Sequence, residues 1–168
     1  MDRLTIVTPC SRSQNLSAIA ESIKPGRSLF DVIWMVVFDN GECKESINGG
    51  HQRNCALDAI TDGWVYFLDD DTIIHPDFFS ELANATTSAV AFEQDLGTWI
   101  RKVVPSEMRV CHIDMGQVVI RRELIGNTRF IVDQHIEDGL FIESIYKSNP
   151  NAWSFIDKPL CYYNKLRW

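Results

Sequence analysis

The sequence predicts one α/β domain, residues 1–168, with a mostly parallel central sheet flanked by helices. Three observations predict it. Short apolar runs at residues 4–8, 32–38 and 64–68 have the length and the polar, Pro or Gly boundaries of buried strands. Helix-period segments lie between these runs, and strands alternating with helices imply parallel pairing through right-handed crossovers. Each run also ends in polar or acidic residues: Thr8-Pro9, Asp39, and Asp69-Asp70-Asp71. The carboxyl ends of parallel strands are where open α/β sheets place ligands.

Length and composition agree. A chain of 168 residues can bury a sizeable core, and 45% hydrophobic with 23% charged residues is ordinary for a globular protein. The net charge of −7 argues against nucleic acid as the main partner, because phosphate backbones select basic surfaces. It leaves a nucleotide open, since a metal can screen a diphosphate. The five cysteines are scattered with no CxxC pair, so neither a zinc site nor a disulfide framework is indicated. With no bilayer-length apolar run and no signal-like start, the expected location is cytoplasmic, peripheral to a membrane at most.

The elements follow in order. Residues 4–8 form a strand rich in β-branched side chains, ended by Pro9. Residues 10–14 are small and polar, a loop. Asn15 or Ser17 can cap a helix to residue 23, with Leu16, Ile19, Ala20 and Ile23 on one face, and Lys24-Pro25-Gly26 stops it. Residues 32–38 form the second strand. Asp39 at its end can serve a base or ribose, or can open an Asx-type turn with Asn40-Gly41. After a polar loop at 42–50, residues 51–60 read as a helix with Cys55, Ala56, Ala59 and Ile60 toward the sheet, and with Arg53 and Asn54 near its start. The third strand, 64–68, runs into the three aspartates. Pro76 starts a helix to residue 83, and 88–92 is a further strand. Strands are expected at 98–104 and 109–113, then an apolar run at 115–120, a turn or short helix at 121–126, and a helix from about 137 to 147. A last strand spans 153–156, and residues 159–168 are an aromatic tail. No internal repeat or linker is present.

The stretch from Asp62 to Phe79 carries the strongest chemical signal. Three adjacent carboxylates repel one another unless a cation neutralises them, and oxygen-rich acidic clusters suit Mg²⁺ or Mn²⁺. The plainer alternative is a solvated acidic turn before a helix.

Taken together, these motifs resemble the glycosyltransferases of the GT-A fold, most closely the inverting family-2 type. Four segments match in order: Ile6-Val7-Thr8-Pro9 with Asn15-Leu16; Val37-Phe38-Asp39; Arg53-Asn54, Asp62-Gly63 and Phe67-Leu68-Asp69-Asp70-Asp71; then Val119-Ile120-Arg121-Arg122-Glu123-Leu124, Phe130 and Glu137-Asp138-Gly139-Leu140. The ordered set is more specific than the acidic triplet alone.

The resemblance implies a Rossmann-like GT-A fold with a small antiparallel ribbon near the acceptor side. Residues 1–92 would bind the nucleotide sugar and 93–168 would form the acceptor side. Its implied activity is metal-dependent hexosyl transfer, with inversion, from a nucleoside diphosphate sugar to an acceptor hydroxyl. UDP is the default nucleotide, and the acceptor would be a glycan, a lipid-linked molecule or a protein. Thr8, Pro9, Ser11 and Arg12 would lie against the base, and Asp39 would bond to base or ribose. Arg53, with Asn54 beside it, would approach the base or diphosphate. Asp71 would be the principal ligand of Mn²⁺ or Mg²⁺, with Asp69 or Asp70 toward the ribose and metal-bound water, and Asp69 the second ligand. Asp138 would be the catalytic base, with Glu137 the second claimant. The late metal-binding histidine of many relatives has no counterpart in residues 161–164. His112 and His135 are substitutes, or ordinary satisfied histidines.

Trp99, His112, Asp114 and Gln117 are candidate sugar contacts, or strand-face residues. The tail at 162–168 suits a membrane surface, a cover over the donor, or plain packing.

Rival readings are weaker. A sugar-nucleotide pyrophosphorylase needs a Gly-rich basic loop after the first strand, and residues 8–13 contain no glycine. A haloacid-dehalogenase-like phosphatase needs DxDx[TV] after the first strand, whereas Asp69-Asp70-Asp71-Thr72-Ile73 follows the third and ends in Ile. A non-catalytic nucleotide-sugar-binding module would not require Asp138.

Overall fold

The computed structural model describes residues 1–38, 49–132 and 135–167 of the chain. Asp39 therefore lies outside the described residues, as does Cys43. Strands β1 (Asp2–Cys10), β2 (Phe30–Phe38) and β3 (Trp64–Phe67) pair in parallel, with β1 in the middle. The sheet continues through β7 (Val118–Arg121), β5 (Ala89–Asp95), β8 (Trp153–Tyr162) and β4 (Ile73–Ile74), in the order β2-β1-β3-β7-β5-β8-β4. A short strand β6 (Ile100–Arg101) pairs antiparallel with β5. β7 opposes both β3 and β5, and β4 opposes β8. Thus β1, β2, β3, β5 and β8 run one way, which makes the sheet mostly parallel and gives it the expected antiparallel ribbon.

Strand alternation sends side chains to two cores. Leu4, Ile6, Trp64, Tyr66 and Leu68 face one layer, where α1 (Leu16–Ile23) contributes Ile19 and Ile23, and α3 (Phe78–Ala83) contributes Phe78, Phe79 and Leu82. Val7, Val65 and Phe67 face the other, where α2 (Gly50–Ala59) contributes Ala56 and Leu57, and α5 (Glu137–Ser148) contributes Phe141, Ile142 and Ile145. A one-turn helix, α4 (Arg122–Ile125), follows β7. Gly63 turns the chain into β3 with φ +83°, and a Cβ there would meet the Arg3 carbonyl at 2.7 Å.

Several local expectations change. Cys55 and Ala59 are exposed, and the buried face of α2 is Gln52, Arg53, Ala56 and Leu57. The search for an apolar face missed it because half of that face is polar. Residues 109–112 turn instead of extending: His112 N donates to Arg109 O, and Cys111 has φ +68°. Only Ile100–Arg101 of the expected 98–104 strand pairs, and a 3-10 turn begins at Pro105. The last strand is longer than expected, crossing Pro159 where its pairing with β5 shifts register. Lys24–Ser28 continues α1 as a 3-10 turn, and Pro76 precedes α3 by a turn. Of the cysteines, Cys10, Cys55, Cys111 and Cys161 are free thiols.

Candidate active site

The carboxyl ends of β1 and β3, the first turns of α2 and α5, and the chain after β8 enclose a cleft of about 450 Å³. It is lined by Pro9, Ser11, Arg12, Arg53, Asp69, Asp70, Asp71 and Asp138 from the expected set. Asp114 and His135, two of the further candidates, also line it. Gln52, which had no role from the sequence, and Tyr163, Asn164 and Arg167 from the tail, for which a cover over the donor was one expectation, join them.

Arg53 organises the centre. Its guanidinium is buried, with Nη2 donating to Asp69 at 2.8 Å and Nη1 to Asp138 at 2.8 Å, and Glu137 lies at 3.4 Å. The Phe130 ring lies under it at 5.4 Å. Burial pulls its pKa down, but the three carboxylates outweigh burial and raise it. Two acids widely separated in sequence are thus held by one cation. The first turns of α2 and α5 meet closely, since a Cβ on Gly50 would lie 2.5 Å from a Glu137 oxygen.

The Asp138 side chain is 27% exposed. Burial pushes its carboxyl up to about 7, with Arg53 opposing and Asp69, Asp114 and Glu137 adding to the rise. Burial likewise raises Asp69, whose side chain is 35% exposed at the cleft, while Arg53 pulls it down and Asp114 and Asp71 push it up. A carboxylate poised near neutrality can accept a proton and release it in turn.

Asp70 is an anchor. One oxygen accepts from the Ser11 and Arg12 amides at 2.6 Å each and from the Ser11 hydroxyl at 3.0 Å, while the other pairs with Arg12. Burial raises its carboxyl, but these amides and the Arg12 guanidinium outweigh burial and hold it below the usual range. Asp70, expected as one of two candidates toward the ribose, fixes the loop after β1 and also lines the cleft.

Asp71 is 7% exposed and faces Arg12 Nη1 at 3.1 Å. Its neighbours orient the Asn164 amide, whose nitrogen donates to the two Asp71 oxygens at 3.1 and 3.2 Å while Arg167 donates to its oxygen at 3.0 Å. Leu166 N also donates to the Asp71 carbonyl at 2.9 Å. The tail is thereby fastened to the acidic triplet.

Other expected residues stand apart. The Thr8 hydroxyl is wholly buried and accepts from Trp34 Nε1 at 3.0 Å, so it cannot touch a base. The Asn54 amide is committed at both ends to the Phe130 backbone, at 3.0 and 2.9 Å, and does not line the cleft. Glu137 is buried, 3.4 Å from Arg53 Nη1, and does not line the cleft. Gln117 is buried and bonded to the Phe92 and Arg101 carbonyls, and His112 pairs with Glu107. The interior partners of Thr8, Asn54 and Glu137 cannot be read from local sequence.

The donor set can be tested against a divalent cation. Asp69, Asp70, Asp71, Asp114 and Asp138 outnumber Arg12, Arg53 and Arg167 in the lining, and hard oxygen donors suit Mg²⁺ or Mn²⁺. Among the described residues no three His, Cys, Asp or Glu side chains are grouped to hold an ion alone. The fit is therefore to a cation held by one or two carboxylates and completed by a ligand's phosphates and water, which is how Mg²⁺ is commonly held.

No family model and no curated protein matches the chain. Solved structures do. The first 349 residues of Staphylococcus aureus TarS superpose with TM-score 0.70 at 16% identity, covering 95% of this chain and 60% of that one. The same fragment in complex with UDP-GlcNAc gives 0.69 at 16% identity, covering 95% and 58%. A mutant Drosophila β1,4-galactosyltransferase 7 with manganese, UDP-Gal and xylobiose gives 0.65 at 13%, covering 97% and 71%. The chain spans about 60% of the TarS fragment's length. Strand order, two-sided core and the acidic cleft at the strand ends thus belong together: the chain has the GT-A fold, the fold of these nucleotide-sugar glycosyltransferases.

Proposed function

We propose that the chain transfers a hexosyl group from a nucleoside diphosphate sugar, a UDP-sugar by default, to an acceptor hydroxyl, with inversion and with a divalent cation. The observation that carries this reading is the Arg53 bridge, which holds Asp69 and Asp138 on one cleft and leaves Asp138 titrating near neutrality. The solved relatives with UDP-GlcNAc, or with manganese, UDP-Gal and xylobiose, support the choice of ligands.

In this reading Pro9, Ser11 and Arg12, the loop that Asp70 fixes, line the nucleotide side of the cleft. Asp71, with Asp69, would hold Mn²⁺ or Mg²⁺; when bound, the cation would offset charge developing on the leaving diphosphate. Arg12 would release Asp71 and turn its guanidinium to a phosphate. Asp138 accepts the proton of the attacking hydroxyl, a contribution of roughly 10²- to 10⁴-fold in rate. Attack from the face opposite the leaving group inverts the anomeric carbon. Residues 1–92 supply most of the donor side and residues 93–168 the acceptor side, with Asp138 and the tail reaching across. The phosphatase reading loses ground because the triplet follows β3, the third strand of the chain, and not the first.

The test is a thermal-shift panel of nucleotide sugars, each with and without Mn²⁺, followed by UDP-release assays on those that bind. We expect a UDP-sugar to raise Tm more with Mn²⁺ than without, and to be slowly hydrolysed. If no nucleotide sugar shifts Tm, the reading fails. Binding without turnover, in the presence of a broad acceptor mixture, supports the non-catalytic module.

A further inference from the structure

We propose that Trp99 forms a saccharide platform at the mouth of the cleft, receiving a sugar unit of the acceptor; this rests on the transfer reading above and deepens it to a saccharide acceptor. Trp99 belongs to neither core and is 55% exposed, an unusual place for the largest side chain. The β5–β6 hairpin turn holds it, with Leu96 N donating to the Trp99 carbonyl at 3.0 Å.

Its surroundings lead to the cleft. The Arg101 guanidinium lies 6.0 Å from the Trp99 ring and 5.2 Å from the Tyr163 ring, and it pairs with Asp114 at 3.4 Å. Tyr163 and Asp114 both line the cleft. Tyr163 N also donates to the Asp95 carbonyl at 2.9 Å, tying the hairpin to the cleft wall. Thus one guanidinium joins an exposed indole to two cleft residues.

That combination suits a pyranose. A sugar ring presents a face of C–H groups, which packs on the electron-rich face of an aromatic ring, and a rim of hydroxyls, which needs donors and acceptors. Arg101 supplies N–H donors, Asp114 carboxylate oxygens and Tyr163 a hydroxyl. An acyl chain or an apolar peptide would desolvate the Arg101–Asp114 pair and offer it no hydrogen bond in return.

The test uses an array of immobilised oligosaccharides, probed with the protein loaded with UDP and Mn²⁺, and then calorimetric titration with the best soluble binder. Wild type, Trp99→Ala and Trp99→Phe are compared, with UDP titrated separately into each. We expect Trp99→Ala to weaken saccharide binding at least tenfold, and Trp99→Phe to stay within about threefold of wild type. UDP affinity and Tm should be unchanged in both. Undiminished saccharide binding by Trp99→Ala overturns the platform. UDP binding with no saccharide bound also overturns it. Failure of wild type to bind UDP or any nucleotide sugar of the panel overturns the transfer reading, and the platform with it.

Discussion

Asp138→Asn should inactivate the protein and stabilise it at once. The carboxyl rises from its usual 3.8 to about 7 in the folded chain, with burial the largest cause. The folded state therefore binds a proton that the unfolded state releases between those values. By linkage, stability falls as pH rises through that window and levels off above pH 7. At ~1.36 kcal/mol per pH unit, the ceiling of this loss is about 4 kcal/mol. Relaxation around a carboxyl that is one-quarter exposed reduces it, so we expect about 1–3 kcal/mol. Asn reproduces the shape of the neutral acid and escapes the penalty. Its advantage should be absent near pH 4, grow to pH 7 and then hold. For a domain of this size that is a Tm gain of roughly 2–10 °C at pH 8. The assay is thermal unfolding of both proteins from pH 4 to 8, with kcat and UDP affinity measured on the same samples. The expected kcat loss is roughly 10²- to 10⁴-fold, with UDP affinity within twofold. A purely structural Asp138 would give the reverse, a less stable variant at pH 8, and that result refutes the reasoning.

Further predictions concern the groups around it. Arg53→Lys keeps the charge but loses the two-pronged donation to Asp69 and Asp138; it should cost about 2–4 kcal/mol of stability. It should also move the acid limb of the kcat–pH profile upward, because one ammonium that cannot bond Asp69 and Asp138 together opposes protonation of Asp138 less; an unmoved limb contradicts the bridge. Asp71→Asn should abolish the Mn²⁺-dependent part of UDP binding in calorimetry, whereas unchanged Mn²⁺ dependence removes Asp71 from the metal role. Asn54→Ala should cost about 1–3 kcal/mol in urea unfolding, because it orphans the Phe130 backbone groups. It should leave UDP affinity intact, and a loss of affinity would return Asn54 to the ligand site.

The strands around the cleft were legible in the sequence because apolar runs and their polar ends are local signals. Asp69, Asp71 and Asp138 fall in the cleft for the same reason: each stands at the end or start of an element whose pattern is clear. What sequence hides is partnership. Asp70 looks like its neighbours in the triplet, yet the Ser11 and Arg12 amides consume it. Thr8 stands where a base contact is expected, yet Trp34 from the adjacent strand takes its hydroxyl. The turn at 109–112 is hidden because Val110 and Ile113 suggest a strand and nothing in the local sequence reveals a left-handed Cys111.

Arg53 shows why such a partnership is also a functional signal. It sits in the first turn of α2, where the positive end of the helix dipole disfavours a cation, and it is buried, which disfavours any charge. Neither local rule permits it. Glu137 and Asp138, in the first turn of α5, obey the dipole rule of their own helix and supply the missing charge, and Asp69 adds a third partner. Burial lifts Asp69 and Asp138 above the usual range, and neighbouring carboxylates add to the rise while the single guanidinium opposes it without cancelling it. A fold selected for stability alone would gain from removing one acid. In the proposed reaction the third acid instead serves the chemistry, with Asp138 accepting the proton and Asp69 meeting the cation.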